Sequence, residues 1–263
     1  MRLTRMALAC AMTLRELARS RIVLLLLVTV PTVFDVLVAL TSSSREVPFP
    51  LASLGDDVMA TASERNVSLV FVGLGAVGLL TSFVGMTFVQ KNADATRRLV
   101  LAGFRAEELV LARLGALGAV VVVVALYGTV MLLAFFRPAH VVGLFASFAL
   151  GGFVYGAWGL LVGALVRREL EGILCVTLLA NVDAGWLQNP LAYTGADHKV
   201  IIRALPAYFP SQAAFVAAFS DRDASRALVA SSAYGALFLL LAVAAFWRRT
   251  RVVHSRPCSR SLL

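Results

Sequence analysis

Charge is scarce in this chain. Only 15% of its 263 residues are Asp, Glu, Lys or Arg, while 60% are hydrophobic. Soluble proteins carry about 25% charged residues. A soluble fold of this length could not bury so much apolar surface, so the solvent for most of the chain is lipid. That excludes a secreted scaffold, a disordered tail and a free nucleic-acid-binding protein. Lysine is rarer still: there are two, Lys91 and Lys199, and neither follows glycine. A Walker A loop needs a Gly-Lys-Ser/Thr end to cradle phosphates, so this chain is not an ATPase of that class. Cysteine is limited to Cys10, Cys175 and Cys258. An odd count without paired spacing or nearby histidines argues against disulfides and against a zinc site. His140, His198 and His254 are scattered over loops and the tail. A nucleophile elbow, an HExxH helix and a paired-carboxylate site are also missing. No catalytic, cofactor-binding or metal-binding residue is therefore expected, and the chain is not expected to be an enzyme.

What the chain does have is long apolar runs. A spanning helix needs about 20 mostly apolar residues, and six stretches approach or exceed that: 22–40, 68–89, 114–136, 141–166, 172–187 and 227–247. The fifth is the shortest and stops at Gln188-Asn189-Pro190. Cationic side chains stay on the cytoplasmic side of a membrane. With the N-terminus inside, the inner segments 1–21, 90–113, 167–171 and 248–263 hold 17 of the 24 Lys and Arg. The outer segments 41–67, 137–140 and 188–226 hold 7. The expected fold is an all-α membrane protein with six transmembrane helices, N-in and C-in, forming a single domain over 1–263. The basic start and the first apolar run are both long for a signal peptide, so the first span is expected to stay uncleaved.

Residues 1–21 have their own pattern. Leu3, Met6, Cys10, Leu14 and Leu17 recur at helical spacing, with Arg2, Arg5, Glu16 and Arg19 toward the other side. This predicts an amphipathic interfacial helix on the inner leaflet. The outer segment 188–226 is not simply polar: Val200–Leu205 is apolar apart from Arg203, and Phe215, Val216 and Phe219 follow at helical spacing. Two short amphipathic helices, on or re-entering the outer leaflet before the last span, are expected, with Ser211 as a candidate cap.

Gly73-Leu74-Gly75-Ala76-Val77-Gly78 fits the G-x-G-x-x-G pattern, but that motif binds dinucleotides only between a strand and a helix. Inside a long apolar run its glycines are expected to admit a neighbouring helix. Gly152, Gly156, Gly159 and Gly163 place small residues on one face of the fourth span, which predicts a close helix contact there. Two carboxyls lie inside spans: Asp35 in the first and Asp183 in the fifth. An unpaired Asp near mid-membrane costs at least about 2.5–3.5 kcal/mol. Each must be neutral, face a water-filled cavity, or bond to Asn181, Thr177 or Thr29. Asp35, Asp183 and Asn181 are thus candidates for a polar translocation path.

The stretch 90–113, between the second and third spans, alternates charge with apolar residues. Asp94, Arg97, Arg98, Arg105, Glu107, Glu108 and Arg113 are interleaved with Leu99, Val100, Leu101, Phe104, Leu109 and Leu111, and Gly103 interrupts. A charged, partly apolar knob suits docking to a soluble partner. On residues alone, the chain is a polytopic membrane protein whose charged loop suits a soluble partner, and a protein not coupled to ATP, such as a secondary transporter half or an accessory or immunity protein, stays open.

The run Leu99–Arg113 resembles the loop after the second span of ABC-2 type transporter permeases. The N-terminal amphipathic helix, the six spans and the helical outer loop with Leu205-Pro206 and Tyr208-Phe209-Pro210 agree with that family. The family often places an acidic residue directly after the second span; this chain has Lys91 there and reaches Asp94 three residues later. The resemblance implies an export permease of an inner membrane. Two permease copies or paralogues would form the pore, and separate ATPase subunits carrying ATP and Mg would dock beneath. Thr96, Arg97, Arg98, Gly103, Phe104, Arg105, Glu107 and Glu108 would be the ATPase-coupling residues.

Overall fold

The computed structural model describes residues 2–55, 57–91, 106–166 and 168–254. The stretch 92–105, with the expected coupling residues Thr96, Arg97, Arg98, Gly103, Phe104 and Arg105, lies outside the described residues, as do the side chains of Glu107 and Glu108.

Helix α1 (Arg2–Arg19) is followed by α2 (Arg21–Thr41), a hairpin of β1 (Glu46–Pro50) and β2 (Met59–Ser63), and α3 (Glu64–Gln90). Next come α4 (Ala106–Leu133), α5 (Val141–Leu165) and α6 (Glu169–Val182), which runs into a π-helical turn at Asp183–Leu187. Three short helices follow, α7 (Pro190–Tyr193), α8 (Lys199–Arg203) and α9 (Tyr208–Phe219), before the long α10 (Ser225–His254). Six of these helices are long and apolar enough to cross a membrane: α2, α3, α4, α5, α6 with its π turn, and α10. They coincide with the six apolar runs of the sequence.

Burial divides the spans into two kinds. α3 and α5 are buried along most of their length, whereas α2 buries only Pro31 and Asp35. Leu170, Leu174, Leu178 and Trp186 along the fifth span are exposed, as are Leu237, Leu240 and Leu241 on α10. Exposed aliphatic faces of this extent belong against lipid or another subunit. Pro31 removes one backbone bond inside α2, which spanning helices tolerate where neighbours re-satisfy the freed groups.

The centre is the α3–α5 contact, and it depends on small residues. A Cβ on Gly159 would run into the Ser82 carbonyl, and one on Gly85 into the Gly156 carbonyl. Leu74 meets Gly151, Tyr155 meets Gly78, and Met86 meets Gly163. The pairs Leu74–Gly151, Gly78–Tyr155, Ser82–Gly159 and Met86–Gly163 step by four residues along both helices, so α3 and α5 run parallel. The second and fourth spans of an alternating chain must do so. Gly73, Gly75 and Gly78 lie inside α3 and face Phe148, Ala184 and Tyr155, so the G-x-G-x-x-G match is a packing feature. α10 lays Ala227, Ser231 and Ala242 along α5, and Gly235 on the same stripe admits the Phe153 ring. Its first turn is capped: Asp223 accepts from the Ser225 amide and hydroxyl, which holds its carboxyl below the usual range.

Several expectations change. The segment 41–67 carries a two-stranded antiparallel hairpin with Phe49 paired to Ala60. Pro48 and Pro50 stand in its first strand, and proline is tolerated in an edge strand. Helix α9 is not amphipathic: Ser211, Gln212, Phe215 and Val216 are all buried. It sits within the bundle against α5, α10 and α3. Ser211 does not cap it; the helix starts at Tyr208 and the Ser211 hydroxyl donates to the Tyr208 carbonyl inside the first turn. The stripe Cys10, Leu14, Leu17 on α1 packs against the protein core through α4, with Cys10 beside Gly115. Part of the predicted apolar face thus has a helix of the protein as its partner, while Leu8 and Met12 stay exposed.

Candidate functional site

Both in-span carboxyls are fully buried, and they lie on opposite sides of α3. A Cβ at Gly73 would be 3.8 Å from Asp35 Oδ1, and one at Gly75 would be 3.6 Å from the Ala184 carbonyl, next to Asp183. Two residues of helix correspond to about 3 Å of rise and about 200° of rotation. The acids therefore share a level, as their equal depth in parallel spans predicts, but the body of α3 separates them.

Asp183 is a saturated acceptor. The Tyr155 hydroxyl on α5 donates to Oδ2 at 2.5 Å, the Ala207 amide donates to the same oxygen at 2.9 Å, and the Gln188 amide donates to Oδ1 at 2.9 Å. The local backbone makes this geometry. Asp183 opens the π turn, and the Gln188 amide N–H bonds back to the Asp183 carbonyl at 3.2 Å. One extra residue in the turn brings the Gln188 side chain over Asp183. The turn lies against α3 at Gly75, where a Cβ would stand 3.6 Å from the Ala184 carbonyl. Ala207 directly precedes α9, so the carboxylate also serves the N-terminus of the inserted helix, where negative charge is favoured. Three elements meet at one side chain: the fourth span, the end of the fifth, and α9.

Asn181 does not take part. It is exposed on α6, and its amide donates to the Thr177 carbonyl at 2.8 Å. The expected bonding of Asp183 to Asn181, Thr177 or Thr29 is thus replaced by bonding to Tyr155, Gln188 and Ala207. Those three were missed because they lie 28, 5 and 24 residues away in sequence. The one available signal was a tyrosine in a glycine-rich span, where a hydroxyl needs a partner.

Asp35 is the opposite case. Both its carboxyl oxygens are buried without a hydrogen-bond partner among the described residues. One turn earlier, the Thr32 hydroxyl and the Tyr127 hydroxyl on α4 are 2.6 Å apart. Thr32 and Asp35 form the polar stripe of an otherwise exposed apolar helix.

The segment after Asp183 is tied down from outside. Phe49 of the hairpin packs edge-on against Phe215 and Phe219 of α9, with ring centroids at 6.0 and 5.5 Å. The Ser53 amide donates to Gln212 Oε1 at 3.3 Å, and the His140 amide to the Ala217 carbonyl at 2.8 Å. Arg203 donates to the Tyr193 hydroxyl at 2.9 Å. Hairpin, α7, α8 and α9 thus close one end of the bundle as a unit. At the other end, Arg113 on α4 is buried with its guanidinium 5.7 Å from the Phe246 ring centre on α10.

A family model described as ABC-2 family transporter protein matches residues 35–247, well over half of the chain. No curated protein matches it. Among the described residues no group of His, Cys, Asp and Glu is placed to hold a metal ion.

Proposed function

The chain belongs to the ABC-2 transporter family, and we propose that it is the permease subunit of an ATP-binding-cassette exporter. It is a multi-pass membrane protein. The family match, running from the middle of the first span to the end of the sixth, is the observation that carries this reading. The finer points follow from the residues. The basic excess of the inner segments supports cytoplasmic termini in an inner membrane. With no phosphate-cradling loop in this chain, ATP and Mg belong to a separate ATPase. Residues 90–113 then face that ATPase, and Thr96, Arg97, Arg98, Gly103, Phe104, Arg105, Glu107 and Glu108 couple to it. The broad exposed faces of α2 and α10 support a second permease copy or paralogue there, with lipid over the rest.

The mostly aliphatic spans favour a lipophilic cargo. Of the two buried acids, Asp35 is the one whose oxygens remain for a cargo or for water during the transport cycle. Asp183 holds the closed end together. Opening toward the outside would have to move α9 and the hairpin, and with them the Asp183 bonds. Such a change is a switch between two packed arrangements.

The direct test is capture. The tagged chain, purified from its host's membranes, is expected to bring with it an ATPase bearing Walker A and B motifs. Replacing Glu107 and Glu108 by Lys is expected to abolish that capture while leaving the chain folded. An intact complex after the double charge reversal would remove these residues from the coupling contact.

A further inference from the structure

Helix α4 is continuous from Ala106, inside the coupling segment, to Leu133 in the third span. A helix is stiff over such a distance, so a push on its first turn reaches Arg113 about 10 Å away. Arg113 is 7% exposed, far below what an arginine usually shows. It stands on the helix that meets two other elements here. Its guanidinium packs over Phe246 on α10 at 5.7 Å. Helix α1, which carries Glu16, packs along α4. Two residues along, Gly115 lets Cys10 of α1 approach α4, with 3.4 Å between the Cys10 sulfur and the place of a Cβ. Beside Arg113 lies an almost wholly apolar cavity, lined by Val89, Leu160, Ala164, Leu239 and Phe246 among others.

These features are costly if they only stabilise. An apolar side chain of similar volume would fill this space without desolvating a cation. They make sense for a joint. A guanidinium can keep a carboxylate on one side and an aromatic face on the other while the helices slide, and the cavity gives Phe246 room to move. We infer that Arg113 is the positioning residue through which the coupling segment moves the N-terminal helix and the last span together. This rests on reading 90–113 as the coupling segment.

The test uses the captured permease–ATPase complex in lipid nanodiscs. Hydrogen exchange of residues 7–19 and 242–248 is followed with and without ATP and vanadate, alongside ATP hydrolysis. In the wild-type complex, ATP is expected to change exchange in both segments. Arg113→Ala is expected to keep the ATPase bound and hydrolysing but to reduce that change about fivefold or more, the range of an ordinary coupling free energy. The charge swap Glu16→Arg with Arg113→Glu is expected to restore the change in 7–19. If Arg113→Ala does not assemble, Arg113→Lys and Glu16→Gln are read by the same two measurements. A variant complex whose exchange responds to ATP as the wild type does would overturn the joint and leave the coupling reading standing. A wild-type chain that captures no ATPase would overturn the coupling reading itself, and the joint with it.

Discussion

At the scale of single residues, the two buried acids show why a charge in a span is ambiguous from sequence. Asp35 and Asp183 have the same type, the same depth and apolar neighbours in the chain, yet one has three donors and the other has none among the described residues. Depth follows from counting residues, so their shared level was legible. Their partners were not, because Tyr155 and Ala207 come from other elements. The difference gives a graded prediction for Asp183. Asp183→Ala leaves the Tyr155 hydroxyl and the Ala207 N–H buried without the acceptor they share, at about 1–3 kcal/mol for each group left unsatisfied, while the Gln188 amide keeps only its long bond to the Ile202 carbonyl at 3.4 Å. Asp183→Asn keeps an oxygen for Tyr155 and Ala207, and Gln188 can turn its carbonyl toward the new amide. Tyr155→Phe loses one bond, at about 1 kcal/mol. Thermal unfolding in detergent, followed by intrinsic fluorescence, should rank the variants wild type, Asp183→Asn near Tyr155→Phe, then Asp183→Ala well below. An Asp183→Ala protein as stable as wild type would show that water replaces the three contacts. Asp183 would then be a solvated group on a path and not a structural acceptor.

At the scale of elements, the spans were legible because a run of about 20 apolar residues has few other uses. The ends were less so. α4 starts well before its apolar run because charged Glu107 and Glu108 are acceptable on a helix outside lipid, and the fifth span ends in a π turn that no composition rule marks. The amphipathic reading of α9 failed for a physical reason. Its apolar residues recur at helical spacing, but alanines fill the other positions, so every face can be buried. The glycine face of α5 was read as a contact, and only the structure supplies its partner. That contact yields a paired prediction. Gly159→Ala would set a methyl group against the Ser82 carbonyl, and overpacking of a tight site costs about 1–3 kcal/mol, with more expected where backbone must move. Gly118→Ala on α4 meets nothing within 4 Å and should gain from helix propensity, up to about 1 kcal/mol. The yield of monodisperse protein after gentle heating should fall for Gly159→Ala and hold or rise for Gly118→Ala. Equal behaviour of the two would mean that α3 and α5 are not in backbone contact.

At the scale of the whole molecule, the net charge of +9 is a statement about sides. The inner segments carry 17 basic and 6 acidic residues, the outer ones 7 of each, and two acids are buried within spans. The sequence therefore predicts an orientation as well as a span number, and the parallel packing of α3 and α5 is what an alternating six-span path requires. A bundle without a bilayer has no inside, so orientation is the property that packing leaves open and charge decides. Alkaline phosphatase folds only outside the cytoplasm. Fused after Gly55, in the hairpin turn, it is expected to be active; fused after the last residue, or after Arg168, it is expected to be inactive. The same experiment bears on function. If the hairpin is outside, then 90–113 and Arg113 lie on the side where ATP is found, and the closed end built by Phe49, α9 and Asp183 faces outward, as an export gate must. An active fusion at Arg168 with a silent one at Gly55 would place the coupling segment away from ATP. It would overturn the orientation, the ATPase contact and the Arg113 joint at once, while leaving the helix packing untouched.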